Sequence, residues 1–341
     1  MHTVVVSGDG TAFPVADGQT VLDAALRNGA WLPHSCTQGT CGTCKLRVLC
    51  GEVDHGGTPE ETLPATDRQT GMALGCMAVP RSDLTVQTTA VVDGTVPRHR
   101  LRDHEATVVM LDDIAADTRR LVLELDDDMQ FTAGQYCELV VPGVGVSRQY
   151  SMANPPGDPR RLEFHIKRTP GGMATDGWIF KDLAVDERIA LRGPLGQFGL
   201  ADKQDSPVIL IGGGTGLAPL KSIVHHALEH ELAPEMFLYH GGRRRVDLYD
   251  VEYFTELAQA HPGFHYRPAI SEPDPDDGEW TGSVGMVTDV VLDDFASCKG
   301  MSAYLCGPPA MVTAAVKALK RRRMAPRLIF REEFTAAPVG V

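Results

Sequence analysis

Four cysteines constrain this chain more than any other feature. Cys36, Cys41 and Cys44 lie in Pro33-His34-Ser35-Cys36-Thr37-Gln38-Gly39-Thr40-Cys41-Gly42-Thr43-Cys44, and Cys76 follows in Leu74-Gly75-Cys76-Met77. The spacing Cys-x4-Cys-x2-Cys with one distant cysteine is that of the four thiolates around a [2Fe–2S] cluster. Three thiolates meet one cluster from a single loop only if the backbone wraps closely. Gly39 and Gly42 lack the Cβ that would forbid positive φ or collide with the sulfides. A structural zinc site more often shows two close cysteine pairs, and only Cys41 and Cys44 are so spaced. A Rieske centre would put histidines in place of two cysteines, and no Cys-x-His pair occurs. A disulfide framework does not suit a chain of 341 residues that opens without a secretory signal.

That length exceeds one ordinary core and predicts two or three domains. The composition is 43% hydrophobic and 23% charged, with no apolar run long enough to cross a bilayer. Eight cysteines without a signal peptide place the chain in a reducing cytoplasm, where thiols serve metals and catalysis. A net charge of −13 argues against nucleic acid or a membrane surface as partner. The cysteine-bearing segment, residues 1–93, holds ten acidic against five basic side chains, so a basic acceptor patch is its natural counterpart.

Taken in order, residues 1–93 predict a small α+β domain. Strand-like Val4–Val6 and Thr11–Val15 flank a Ser7-Gly8-Asp9-Gly10 turn. A helix over Val21–Leu26, capped by Thr20 and ended by Asn28-Gly29, precedes the cysteine loop. Strands at Lys45–Leu49 and Leu84–Thr88 follow. Residues 94–103 are polar and basic and read as a linker. Over 104–202 short strands recur at Ala106–Leu111, Thr118–Leu125, Gln135–Val141 and Leu162–Lys167, as in a six-stranded antiparallel barrel, with one helix expected over Thr175–Leu183. From 203 to 341 strand and helix alternate, which predicts an α/β domain with a parallel sheet. An acidic loop is expected over Glu272–Glu279. Cys50, Cys137 and Cys298 read as buried small apolar residues, and Lys317 and Lys320–Arg323 as the exposed end of a helix.

Two groups of motifs carry cofactor chemistry. In the barrel, Arg148-Gln149-Tyr150-Ser151 sets a guanidinium, an aromatic ring and a hydroxyl together, a set that suits a flavin's pyrophosphate, ring and reactive nitrogen. Gly171-Gly172-Met173-Ala174-Thr175 opens the expected helix, where free backbone N–H groups hold an anion. Each is weak alone; their order along one barrel strengthens both. In the α/β domain, Gly212-Gly213-Gly214-Thr215-Gly216 joins a strand to a helix, the place where a pyrophosphate binds. It matches neither the spaced Gly-x-Gly-x-x-Gly fingerprint nor a Walker loop, and such turns also serve packing. Cys306-Gly307-Pro308-Pro309-Ala310-Met311 ends a later strand on the same sheet edge. Its thiol reads as a nicotinamide contact or as a buried structural cysteine.

Together these motifs resemble the ferredoxin–NADP⁺ reductase superfamily, in its fused form with an N-terminal plant-type ferredoxin of β-grasp fold. They are most similar to reductase components of bacterial aromatic-ring-hydroxylating dioxygenases, of the naphthalene and terephthalate dioxygenase kind. The resemblance rests on Arg148-x-Tyr150-Ser151-Met152-Ala153, Phe164-His165-Ile166-Lys167, Pro170-Gly171-Gly172, Gly193-Pro194-Leu195-Gly196, Gly212 to Pro219, Asp247-Leu248-Tyr249 and Tyr304 to Met311. It implies that Cys36, Cys41, Cys44 and Cys76 hold the cluster. Arg148, Gln149, Tyr150 and Ser151 would contact FAD, His165, Ile166 and Lys167 would line the flavin, and Gly171, Gly172, Met173, Ala174 and Thr175 would bind its pyrophosphate. Gly213, Gly214, Thr215, Gly216, Arg243, Asp247, Cys306, Gly307, Pro308 and Met311 would form the nicotinamide site.

The resemblance further implies that Ser151, Cys306 and Phe334 act beside the reacting atoms, with Glu332 and Glu333 as acidic alternatives near the C-terminus. Asp247 would accept from a ribose 2′-hydroxyl, while Arg243-Arg244-Arg245 would suit a 2′-phosphate or form a solvated turn. The expectation is NADH, with NADPH tolerated. The implied protein is a cytoplasmic monomer passing electrons from NADH through FAD to the cluster, and onward to a dioxygenase or a separate ferredoxin. The same three modules also serve di-iron monooxygenases and sugar-deoxygenating dehydratases, and a redox-sensing iron–sulfur flavoprotein would share them.

Overall fold

The computed structural model describes all residues except 9, 90–96, 201, 276–279 and 336–341. The chain forms two compact units, residues 1–103 with 192–197, and residues 104–191 with 198–341.

The first unit holds a mixed sheet ordered β2-β1-β7-β3-β5, built from β1 (His2–Val6), β2 (Ala12–Val15), β3 (Lys45–Cys50), β5 (Met72–Leu74) and β7 (Leu84–Thr88). A second pair comprises β4 (Val53–Asp54) and β6 (Val79–Pro80). In β1 the side chains of Val4 and Val6 turn inward while Thr3 faces out, the period-two pattern of a strand with one buried face. Helix α1 (Val21–Arg27) buries Val21, Leu22, Ala24, Ala25 and Leu26. Thr20 caps it, Oγ1 accepting from the Asp23 N–H at 3.3 Å, and Gly29 with φ 76° ends it. A short α2 (Ala65–Gln69) precedes β5. The cysteine loop runs from α1 to β3, so it starts and ends on ordered elements.

Mostly from residues of the second unit, six strands form an antiparallel sheet ordered β11-β10-β13-β8-β9-β12. They are β8 (Arg102–Ala115), β9 (Thr118–Leu125), β10 (Tyr136–Val140), β11 (Ser147–Ser151), β12 (Arg161–Lys167) and β13 (Arg188–Leu195). A bridge between Met152 and Phe164 joins the two outer strands and closes the sheet into a barrel. Its interior is packed with Val108, Leu121, Leu123, Leu139, Phe164, Ile166 and Leu191.

The remainder is a parallel sheet ordered β17-β16-β15-β14-β18-β19. It comprises β14 (Val208–Gly213), β15 (Met236–Gly242), β16 (Phe264–Ile270), β17 (Ser283–Val284), β18 (Ser302–Gly307) and β19 (Ile329–Glu333). Helices α3 (Leu217–Glu229), α4 (Val251–Ala260), α5 (Val287–Asp294) and α6 (Pro309–Arg321) provide the crossovers. Every residue of β14 and β18 is buried, as expected of strands covered on both faces. The chain builds outward from β14 through β15, β16 and β17, then returns to place β18 on its other side. That reversal is a topological switch point, where open α/β sheets bind ligands at the strands' carboxyl ends.

Several expectations need correction. The helix expected over Thr175–Leu183 is a single π-turn, Thr175–Ile179, with i→i+5 bonds such as Ile179 N–H to Ala174 O at 2.9 Å. Gly171, Gly172 and Gly177 crowd this segment and give an α-helix little support. Cys50 is exposed rather than buried, at the end of β3. β8 begins at Arg102, inside the expected linker; residues 94–96 of that linker, Asp9 of the first turn, and 276–279 of the acidic loop lie outside the described residues. Arg322 is half-buried, its guanidinium donating to Leu292 O at 2.7 Å.

Candidate functional site

The four cysteines assemble as two pairs. Cys44 Sγ and Cys76 Sγ are 3.2 Å apart, and Cys36 faces Cys41, whose N–H donates to Cys36 Sγ at 3.3 Å. Within each pair the thiols share hydrogen bonds unequally: Cys36 and Cys44 are lowered by their partners, and Cys41 and Cys76 correspondingly raised. Gly39 and Gly42 take φ 78° and 74°, so the loop uses the left-handed backbone that glycine permits. A Cβ on Gly39 would sit 2.9 Å from Met77. Among the described residues no three metal-ligating side chains converge on one point. Two pairs of thiolates suit two bridged irons better than one ion, so the donor set fits a [2Fe–2S] cluster.

On the barrel, β11 presents Arg148, Gln149, Tyr150 and Ser151. Ser151 is buried while the others are half-buried, and burial pushes the Tyr150 phenol up. Gln149 donates to Glu138 Oε1 at 3.3 Å. On β12 His165 and Ile166 are buried, on opposite faces of the strand, and Lys167 is exposed. The glycine pair borders an open cleft of about 460 Å³ with Arg168, Met173, Phe180 and Lys181 among its walls. Gly171 has φ 70° and open space where a Cβ would stand. The Thr175 hydroxyl closes the loop, donating to Thr169 O at 3.1 Å and accepting from Thr169 N–H at 3.0 Å; Ala174 is buried beside it. An open, glycine-lined cradle of this kind suits a flavin's pyrophosphate.

At the switch point, Gly212 on β14 pairs with Cys306 on β18. The two turns interlock: a Cβ on Gly216 would meet Cys306 O at 2.1 Å, and one on Gly213 would meet Met311 Sδ at 2.5 Å. Gly307 lies against Gly213 O, Pro308 opens α6, and Thr215 is half-buried. Gly214, at φ 55°, faces open space. Burial drives the Cys306 thiol well above its ordinary range, so it stays protonated. β19 then pairs Cys306 with Glu332 and Gly307 with Glu333, and the Phe334 N–H donates to Gly307 O at 2.9 Å. Glu332 is buried, among the described residues its Oε2 has no hydrogen-bond partner, and burial pushes its carboxyl up to about 8. Glu333 is exposed. Arg243 and Asp247 lie on the turn after β15. Asp247 accepts from the Arg244 N–H at 3.0 Å, and Arg244 pairs with Asp274 at 3.0 Å.

A polar ring that sequence reasoning missed lies close by. Glu163 Oε1 accepts from His165 Nε2 at 2.7 Å and from Lys221 Nζ at 3.0 Å. Lys221 also reaches Asp250 Oδ2 at 2.8 Å, and Arg120 reaches Asp250 Oδ1 at 2.7 Å. His165 Nδ1 meets the Tyr249 hydroxyl at 3.1 Å. Burial opposes ionisation of Glu163 and Asp250, but His165 and Lys221 for the first, and Lys221 for the second, outweigh it and hold both carboxyls down. Burial likewise lowers His165, which stays neutral. Only the Glu163-x-His165 spacing, which sets both on one strand face, hints at this ring in the sequence.

Comparison with known proteins covers the chain from end to end. Residues 4–81 match the 2Fe-2S iron-sulfur cluster binding domain, 105–199 the oxidoreductase FAD-binding domain, and 210–317 the oxidoreductase NAD-binding domain. The reductase subunit of an aromatic O-demethylase from Amycolatopsis sp. is 53% identical over 339 residues, 98% of this chain and 99% of that protein. The phenol 2-monooxygenase reductase component DmpP of Pseudomonas sp. is 40% identical, covering 99% and 96%. The naphthalene 1,2-dioxygenase reductase component of Pseudomonas putida is 34% identical, covering 97% and 98%. Among solved structures, an Amycolatopsis cytochrome P450 reductase, GcoB, superposes with TM-score 0.92 at 51% identity, covering 98% of this chain and 99% of that one. The ferredoxin reductase of carbazole 1,9a-dioxygenase gives 0.82 at 27%, covering 98% of each. [2Fe–2S], FAD and NAD(P)H are therefore the cofactors. The chain belongs to the family of NAD(P)H-dependent iron–sulfur flavoprotein reductases, in which a ferredoxin domain is fused to a ferredoxin–NADP⁺-reductase-type module and serves as the reductase component of an oxygenase system.

Proposed function

We propose that this chain delivers electrons from NADH to the haem of an aromatic O-demethylase of the cytochrome P450 kind. The observation that carries this is the 53% identity, over 98% of the chain, to an aromatic O-demethylase reductase subunit, together with the likeness to a cytochrome P450 reductase. A ring-hydroxylating dioxygenase, directly or through a separate ferredoxin, is the second reading, favoured by the naphthalene dioxygenase relative at 34%.

In this reading Cys36, Cys41, Cys44 and Cys76 hold the cluster. Arg148, Gln149, Tyr150, Ser151, His165, Ile166 and Lys167 seat the flavin, with Gly171 to Thr175 at its pyrophosphate. Gly213 to Gly216 and Cys306 to Met311 seat the dinucleotide at the switch point. A flavin held there would supply the conversion between a two-electron donor and a one-electron acceptor. The buried Cys306 and Ser151 would offer neutral, dry contacts to the reacting ring, and Phe334 would cover it. Glu332, kept uncharged by burial, holds a proton beside Cys306. Asp247 sets a carboxylate on the turn after β15, while Arg244 is engaged by Asp274; both features disfavour a 2′-phosphate and favour NADH. The protein acts as a monomer in the cytoplasm.

The test is anaerobic mixing of the holoenzyme and NADH with a ferric P450 O-demethylase under carbon monoxide, beside a Rieske oxygenase in parallel. Rapid formation of the ferrous–carbon monoxide haem band supports the P450 partner. Preferential bleaching of the Rieske centre would refute it.

A further inference from the structure

We propose that Tyr249 is a positioning residue for hydride transfer, its hydroxyl tying the dinucleotide loop at Gly214 to His165 on the flavin strand. The proposal rests on the assignment of these two segments in the preceding section. A carboxylate only accepts, so the bond of His165 Nε2 to Glu163 at 2.7 Å places the ring proton on Nε2. Nδ1 of the neutral ring is then an acceptor, and the Tyr249 O–H donates to it at 3.1 Å. The same hydroxyl lies 3.4 Å from Gly214 O. One phenol proton therefore serves two acceptors, one on each segment.

Both ends of this tie are gripped by the same cations. Lys221 binds Glu163 at 3.0 Å and Asp250, next to Tyr249, at 2.8 Å. Arg120 spans the same two carboxylates, at 3.4 Å and 2.7 Å. The result is a closed ring from His165 through Glu163, the two cations, Asp250 and Tyr249 back to His165, drawn from β9, β12, α3 and the start of α4. Asp250 holds a left-handed φ of 55° to complete it. The Tyr249 and His165 rings also pack edge to face, 4.9 Å between centroids. Loss of the hydroxyl leaves that packing in place and removes only the tie.

The experiment compares holoenzyme carrying Tyr249→Phe with wild type, by calorimetric binding of NAD⁺ to the oxidised protein and by stopped-flow flavin reduction with NADH and its 4-deuterated form. Flavin and cluster spectra stay as in wild type. The NAD⁺ dissociation constant rises about three- to tenfold, and the limiting reduction rate falls by a similar factor with a larger isotope effect. Reduction by dithionite is unchanged. In a second measurement, the ¹⁵N resonance of His165 Nδ1 moves towards that of a free acceptor while Nε2 stays. Unchanged affinity and limiting rate, or an unmoved Nδ1, would overturn the proposal. Wild-type holoenzyme that bound no NAD⁺ would instead sink the site assignment, and the proposal with it.

Discussion

Gly216→Ala and Gly214→Ala form a pair whose contrast follows from the backbone. At Gly216 the backbone is helical, with φ −60°, so alanine itself is unstrained there. The obstacle is the neighbouring strand: the added Cβ would stand 2.1 Å from Cys306 O and 2.8 Å from Gly307 Cα. Ordinary van der Waals contact begins near 3.4 Å, so β18's carboxyl end and the start of α3 must part by about 1 Å. Both obstructing atoms are backbone, and no side-chain rotation relieves them. Overpacking of this sort costs about 1–3 kcal/mol. A 1 Å misplacement of reacting groups costs about a hundredfold in rate. Gly214 differs: a Cβ there meets nothing within 4 Å, and the penalty is only the φ of 55°, about 1 kcal/mol. We expect Gly216→Ala to lower the limiting rate of NADH-dependent flavin reduction about a hundredfold, with FAD and cluster content retained. Gly214→Ala should lower it less than tenfold. Stopped-flow absorbance at the flavin band measures both. Equal rates for the two variants, or a greater loss in Gly214→Ala, would refute a mechanism based on interlocked turns.

Three further perturbations test other parts of the molecule. Cys41→Ser should abolish the cluster's visible spectrum and cytochrome c reduction but preserve NADH-dependent flavin reduction; loss of both in a folded protein would contradict a linear relay. Lys221→Met leaves Glu163 and Asp250 with Arg120 and His165 only, a cost of about 3 kcal/mol for breaking a partly buried pair. Because the depressed carboxyl of Glu163 stabilises the fold above the unfolded pKa and is lost as pH falls, the variant should also lose less stability on acidification, as read from melting temperature against pH. Glu332 has the opposite sign. The unfolded chain releases this proton near 4.5 while the folded chain keeps it to about 8. Its contribution therefore falls by about 1.4 kcal/mol per pH unit across that window and is flat above it. Glu332→Gln should flatten the decline between pH 5 and 8, and an unaltered slope in thermal melts would count against a carboxyl kept protonated by burial.

The features legible in the sequence are those whose chemistry is local. The cysteine loop announces itself because three of the four cysteines and both φ-positive glycines fall within nine residues. Helix α1 shows its cap at Thr20 and its stop at Gly29 for the same reason, and β14 is a continuous apolar run because both its faces are covered. What the sequence hides depends on pairings between distant segments. Nothing near Glu332 signals that β19 will lie parallel to β18 and carry this carboxyl beside Cys306, since parallel pairing leaves no turn between the partners. The ring through Arg120, Glu163, His165, Lys221, Tyr249 and Asp250 spans 130 positions between Arg120 and Asp250 alone, and although His165 and Tyr249 fall within recognisable motifs, nothing in either signals the charges that join them. The π-turn at Thr175 was concealed differently, because its glycines and hydroxyl suit both a helix start and a tight anion-binding loop. These hidden parts share one physical character: they are buried polar groups, costly unless mutually satisfied. A chain that keeps two carboxylates, two cations and a histidine in contact between β12, α3 and the start of α4 gains orientation there that apolar packing, being non-directional, would not supply.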